Sequence, residues 1–310
     1  MISAPSIKGF CNVLITGRFS WELLLVCLTS FAIYYKTMLQ TAETKLKKLE
    51  RILKKMQKIL IAFSGGVDST FLLKVAHSVL GKNVYAVTAT SPSFASRELK
   101  QAKAFARLLG VNFQIIITDE LKTDKYTSNP PDRCYYCKKE LFFKLLEIAQ
   151  FHNIPWVADG SNKDDAHDHR PGMLAIKELG IRQPLFEAGL YKDEIRLLSK
   201  KLKLPTWDKP ACACLASRLP YGESITVEKL QQIERAENFL KDLGFSQVRV
   251  RHCQNTARIE VLPEEMRNFF KQNLHLKVTK KLKKLGYHYV TLDLQGYRSG
   301  SMNEVLNKSR

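Results

Sequence analysis

Beyond residue 57 the apolar positions alternate between two rhythms. Short apolar runs at Ile59 to Phe63, Val84 to Thr90 and Phe113 to Ile117 predict buried strands, and the amphipathic stretches Ser69 to Leu80 and Ser96 to Leu109 between them predict helices. Strand, helix and strand in that succession is the βαβ rhythm of a doubly wound parallel sheet, an α/β fold. A proline-containing loop at 128–133 leads to a helix from about Lys138 to Phe151, a short strand at Trp156 to Asp159 and a helix from about Lys192 to Leu202. The stretch 205–222 is loop-like and holds Pro205, Pro210 and Pro220. After it come a helix at Val227 to Leu243, strands at Gln247 to His252 and Arg258 to Leu262, a helix at Lys277 to Leu285 and an extended Tyr289 to Leu292, which together read as a smaller α+β domain. The expected division is an extension over residues 1–37, an α/β domain over 38–205, and a cysteine loop with the smaller domain over 206–310.

The extension differs in character from the rest. Trp21 to Tyr35 is an apolar run of about 15 residues, shorter than the roughly 20 that a spanning helix needs, and Glu22 sits inside it. No small-residue cleavage site follows. The fold is expected to begin at Met38, where MLQTAETKLKKLERILKKM opens an amphipathic helix that leads into the first strand. A membrane partner is disfavoured unless residues 1–37 are a real anchor.

Charge changes the picture in one respect. Lysine and arginine number 49 against 30 acids, a formal charge of +19, which brings an anionic partner into consideration, whether nucleotide, RNA or membrane surface, beside the plainer reading of a basic solvated surface. The basic clusters Lys45 to Lys58 and Lys277 to Lys284 are interleaved with leucine, as solvated faces of amphipathic helices are, and no RNA-reading module is visible. The expected partner is therefore a small nucleotide rather than a nucleic acid, and homo-oligomerisation stays open. Seven cysteines, odd in number and irregular in spacing, argue against a secreted disulfide framework and for a reducing, cytoplasmic compartment.

The first strand runs into Ser64-Gly65-Gly66-Val67-Asp68-Ser69 and then directly into a helix. Two glycines let backbone N–H groups approach an anion, and the helix N-terminus adds a favourable dipole. Ser64 and Ser69 can donate hydroxyl hydrogen bonds, and Asp68 can hold Mg²⁺ through oxygen. The string is no Walker A loop. SGGVDS resembles the signature of the PP-loop ATP pyrophosphatases, a resemblance that implies cleavage of ATP to AMP and pyrophosphate with AMP passed to a carboxylate, carbonyl or amide oxygen. Asn162, Asp164 and Asp165 follow a short strand end, where open α/β sheets place ligands, and are candidates for nucleotide or Mg²⁺. His167 and His169 are read as solvated loop residues.

Cys134 and Cys137 form a Cys-x-x-Cys pair placed in a loop before a helix, and Cys212 and Cys214 lie in a second loop. Such pairs chelate metals, zinc with four thiolates among them, or form redox dithiols. The segments DRCYYCKKELF from Asp132, DGSNKDDAHDHRPG from Asp159, WDKPACACLASR from Trp207 and TLDLQGYRSGSMNEVL from Thr291 resemble the LarE family of sulfur transferases, over essentially all residues after Met38. The resemblance implies sulfuration of pyridinium-3,5-biscarboxylic acid mononucleotide on the way to a nickel-pincer cofactor. It also implies one of two sulfur sources: a sacrificed cysteine that becomes dehydroalanine, or a 4Fe-4S cluster on three cysteines, here Cys134, Cys137 and Cys214. Cys214 is the catalytic candidate under either, and Cys212 is an extra thiol. Arg218, four residues beyond Cys214, could depress its pKa or bind substrate. Arg249 and Arg251 share one strand face and are candidates for the substrate phosphate, and Glu237 and Glu260 are weaker Mg²⁺ candidates.

Overall fold

The computed structural model describes residues 21–167 and 171–307. Helix α1, Trp21–Met56, runs unbroken across Met38, and its described side chains bury a stripe of Ala42, Leu49, Leu53 and Met56 at helical spacing. Residues 1–20 of the expected extension lie outside the described residues, while 21–37 continue the helix backbone. A chain beginning at Met38 keeps all of that stripe, so it is expected to melt cooperatively within a few degrees of the full chain by circular dichroism. Aggregation of the shortened chain would show that the preceding residues belong to the fold.

Gln57, at φ +61°, turns α1 into strand β1, Ile59–Ala62. Then follow α2, Val67–Leu80; β2, Val84–Thr90; α3, Ser96–Leu109; β3, Asn112–Ile117; α4, Arg133–Phe151; and β4, Trp156–Ala158. The four strands pair in parallel in the order β3-β2-β1-β4, with Ile59 opposite both Val84 and Trp156. The alternation of β1 divides the core. Ile59 and Ile61 pack with α1, α2, α3 and α5, Lys192–Lys201, on one face, while Leu60 packs with Phe142, Leu145 and Ala149 of α4 on the other. This is the expected doubly wound sheet. The chain moves outward from β1 to β3 and then returns to the far side of β1, so the loops after β1 and β4 meet at a topological switch point.

The second body is built on α6, Val227–Asp242, a hairpin of β5, Val248–Cys253, and β6, Thr256–Val261, then α7, Leu274–Lys284, and β7, Tyr289–Leu292, parallel to β6. Val248 and Val250 face its core with Leu240, Phe245, Phe269 and Leu282. Two boundaries differ from expectation in a way that matters. Helix α4 begins at Arg133, after Pro130, Pro131 and the N-cap residue Asp132, so Cys134 and Cys137 stand in its first two turns rather than in a loop. Helix α7 starts earlier than its lysine run suggests. Among the described residues no helix is long and apolar enough to cross a membrane.

Candidate active site

The Ser64–Ser69 loop is shaped by Gly65, which adopts φ +70° with its Cα pressed toward Ala102; a Cβ there would lie 3.0 Å from that methyl. Gly66 is the extended N-cap residue of α2 and its carbonyl accepts from Thr70. The two hydroxyls meet, Ser64 Oγ lying 3.0 Å from Ser69 Oγ. Gly160, just past β4, comes so close that a Cβ would stand 3.1 Å from Ser69 N. The switch point is thus a narrow groove with donors on its floor.

Asp68 stands at its edge. Its Oδ2 pairs with Lys192 of α5, while Oδ1 is buried with no hydrogen-bond partner. Burial pushes the Asp68 carboxyl up, opposed by Lys192, and the nearby Asp165 carboxylate pushes it further up. A buried orphan oxygen beside a second carboxylate suits a hard divalent cation, so the residues fit Mg²⁺. Asp165 also accepts from Asn162 N at 2.9 Å. Asp164 braces the fold: its carboxylate accepts from Lys192 N at 2.7 Å at the start of α5, while Asn162 Oδ1 accepts from Asp164 N. His169 lies outside the described residues, and His167 ends a short 3-10 turn.

The cysteine loop is held by its carbonyls. Arg196, one turn after Lys192 on α5, donates to Trp207 O and Lys209 O at 2.8 Å each. Arg249 reaches Ala211 O at 2.7 Å, Arg218 reaches Ala213 O at 2.7 Å and Cys214 O at 2.8 Å, and Arg251 reaches Ser217 O at 2.7 Å. The polar face of β5, expected to face solvent or ligand, is buried beneath this loop, with Arg249 and Arg251 only 4% and 5% exposed.

Those contacts redistribute the expected roles. Arg218 is 1% exposed and makes a two-pronged pair with Glu237, at 2.8 and 2.9 Å; Arg251 does the same with Glu260, at 2.9 and 2.8 Å. Burial alone would raise the Glu237 carboxyl, yet Arg218 holds it below the ordinary value. Glu237 and Glu260 are therefore counter-ions of arginines, with both oxygens of each occupied, rather than open Mg²⁺ ligands. Arg218 and Arg251 position the loop. Arg249 differs: among the described residues its hydrogen bonds go to the carbonyls of Val248 and Ala211, its guanidinium lies 5.3 Å from the Tyr297 ring, and burial and the neighbouring Arg218 hold its pKa below the ordinary value against the opposing pull of Glu237. An under-neutralised guanidinium of this kind favours an arriving anion. It lines a cleft of about 600 Å³ with Gly65, Gln101, Lys209, Cys212 and Lys241.

The thiols divide into two settings. Cys137 lies within electrostatic reach of Cys214 and of Cys134, which stands three residues before it on the same helical face. Cys212 instead lies near Glu98, Arg218, Arg249 and Lys241. Partial burial and Glu120 push the Cys137 thiol well up. Thiolates suit iron or zinc by chemistry. Among the described residues, however, no three His, Cys, Asp or Glu side chains come together as a metal-holding group. Arg133, 3% exposed, lies between Cys134 and Cys214 electrostatically, with Nε and Nη1 unpartnered and its guanidinium 5.0 Å from the Tyr221 ring.

Four cations that matter here escape a reading of the sequence: Arg133, Lys192, Arg196 and Lys209. The spacing of Lys192 and Arg196 on one helix face is a usable signal, whereas Lys209 sits in an aperiodic loop. Its ammonium donates to Gly65 O at 2.9 Å and Gln101 Oε1 at 2.7 Å and pairs with Glu98 at 2.6 Å.

Comparison with known proteins agrees with this geometry. A PP-loop domain model matches residues 38–126. A pyridinium-3,5-bisthiocarboxylic acid mononucleotide synthase of Lactiplantibacillus plantarum is 41% identical over 271 residues, 87% of this chain and 98% of the relative. An uncharacterized protein of Synechocystis is 48% identical over 86% of this chain and 99% of its own length. A glutamine-hydrolyzing GMP synthase of Solidesulfovibrio magneticus is 24% identical over 66% of this chain and 43% of the relative.

Proposed function

Since this chain belongs to the LarE family of ATP-dependent sulfur transferases, we propose that it adenylates a carboxylate of pyridinium-3,5-biscarboxylic acid mononucleotide and converts it to a thiocarboxylate with sulfur delivered at Cys214. The observation that carries this is the joining of two loops: the phosphate loop and the cysteine loop share one cleft, bridged by Lys209 and lined by Arg249 and Cys212, with Cys214 two residues beyond its lining. That cleft has room for a nucleotide next to the groove that holds ATP phosphates.

The chain's own residues then act in order. Gly65, Gly66 and the N-terminus of α2 cradle the phosphates, Ser64 and Ser69 donate to them, and Lys192 offers a cation beside Asp68. Asp68 and Asp165 would hold Mg²⁺, which when bound neutralises charge on the departing pyrophosphate. Arg249 receives the phosphate of the mononucleotide and so orients its carboxylate. The substrate carboxylate attacks the α-phosphorus of ATP, and pyrophosphate leaves. The Cys214 thiolate then attacks the activated carbonyl, forming a C–S bond as AMP leaves with the electron pair. Loss of the Cys214 Cα proton breaks its Cβ–S bond, so the thiocarboxylate departs and dehydroalanine remains.

Asp68→Asn tests the first half. It keeps the volume and removes the charge that would hold the cation, so pyrophosphate release is expected to fall on the order of a hundredfold or more with the melting temperature little changed. Undiminished pyrophosphate release would overturn the assignment of the loop.

A further inference from the structure

We infer that Lys209 is a positioning residue that couples occupation of the phosphate loop to the presentation of Cys214; the inference rests on the proposed function. Among the described residues its ammonium group bonds to groups of the phosphate loop and the helix behind it, namely Gly65 O, Gln101 Oε1 and the Glu98 carboxylate. Its backbone belongs to the cysteine loop, five residues before Cys214. The side chains of Lys209 and Glu98 are 13% and 12% exposed, so the pair is shielded from solvent screening.

Between Lys209 and Cys214 the chain has no backbone ladder to absorb a displacement. Pro210 has no N–H, and among the described residues none of 211–214 donates a backbone hydrogen bond to another backbone group. The stretch is fixed from outside, by Arg196 at Lys209 O, Arg249 at Ala211 O and Arg218 at Ala213 O and Cys214 O. Polyphosphate entering the groove places several negative charges beside Gly65, where Lys209 is the cation shared with the second loop. The charge draws the ammonium, and the five-residue stretch carries the movement to Cys214. Arg249, which takes the mononucleotide phosphate, holds the same stretch from the other side. Thiol presentation thereby follows nucleotide binding: Cys214 is exposed without nucleotide, and occupation of the phosphate loop changes its orientation and reactivity rather than uncovering it.

The test compares the full chain with Lys209→Met, and with Lys209→Met/Glu98→Gln, which leaves no buried orphan carboxylate if the single variant folds poorly. Alkylation of Cys214 by iodoacetamide is followed by peptide mass, with and without a non-hydrolysable ATP analogue and Mg²⁺. In the wild type the analogue is expected to change the Cys214 rate severalfold, and in both variants that response is lost, while Lys209→Arg restores it. Sulfur transfer in the variants is expected to fall on the order of a hundredfold, with pyrophosphate release falling far less. Equal nucleotide responses at Cys214 in wild type and variants, or no response in the wild type, would overturn the coupling. Failure of the wild type to bind the analogue by calorimetry would instead defeat the assignment of the phosphate loop.

Discussion

Replacing Cys214 with alanine is expected to abolish thiocarboxylate formation completely while leaving pyrophosphate release in place. The two halves of the reaction use different groups: adenylation needs the phosphate groove at the switch point, and Cys214 stands on the other loop, with its carbonyl held by Arg218 and Ser217. Alanine keeps those backbone bonds, so the substitution removes a sulfur atom and little else. Intact mass after one turnover of the wild type then identifies the sulfur source. Conversion of the cysteine to dehydroalanine removes H₂S, about 34 Da, once per product. An unchanged mass with continued product formation would overturn Cys214 as a consumed sulfur donor and place the transferred sulfur on an iron-sulfur cluster held by Cys134, Cys137 and Cys214. Anaerobic iron, sulfide and zinc analysis of the same samples distinguishes that cluster from a zinc site.

The largest loss of stability is expected from breaking one arm of the buried pair beneath the cysteine loop. Arg218→Met leaves Glu237, 3% exposed, with a carboxylate whose remaining close donor is Val250 N at 3.0 Å. Stranding a buried charge in this way costs about 3–5 kcal/mol, whereas Arg218→Met combined with Glu237→Leu removes both charges and is expected to recover a good part of it. The comparison is made by urea unfolding, reading the shift of the midpoint for each variant. If the single and double variants are equally destabilised, the cost lies in the lost bonds to Ala213 O and Cys214 O and not in the stranded carboxylate.

Much of the parallel sheet can be read from the chain because its central strands β1 and β2 are largely buried; the edge strand β3, equally apolar and expected to be buried, is largely exposed, since an edge position is not written in local sequence. Ile59 to Ala62 is continuously apolar, α2 is buried around most of its circumference from Val67 to Ala76, α3 carries one apolar stripe, and the phosphate loop falls where the first rhythm gives way to the second. The cysteine region is harder to read. Val248, Arg249, Val250 and Arg251 alternate as a strand with one wet face would, and nothing local says that a distant loop covers that face. The pairings Arg218 with Glu237 and Arg251 with Glu260 depend on tertiary placement, so periodicity assigns those acids only a generic role. The start of α4 is misplaced by periodicity because the apolar repeat becomes regular only after Lys138, although Pro130, Pro131 and Asp132 in front of Arg133 already mark a helix beginning.

The carbonyls of residues 207–217 are gripped from both bodies: Arg196 comes from the parallel-sheet side, and Arg249, Arg218 and Arg251 bind from the small-sheet side of the loop. An irregular, largely exposed stretch is ordinarily the first to open and the first to be cut by proteases. Here opening it would leave one N–H group of each buried guanidinium without its carbonyl acceptor, while the pairs with Glu237 and Glu260 remain, a cost that grows with each carbonyl released. The stretch therefore serves as a cooperative seam held by its carbonyls: the exposed amides of 211–214, which donate to no backbone group, should exchange freely in the folded protein, yet limited proteolysis should begin elsewhere.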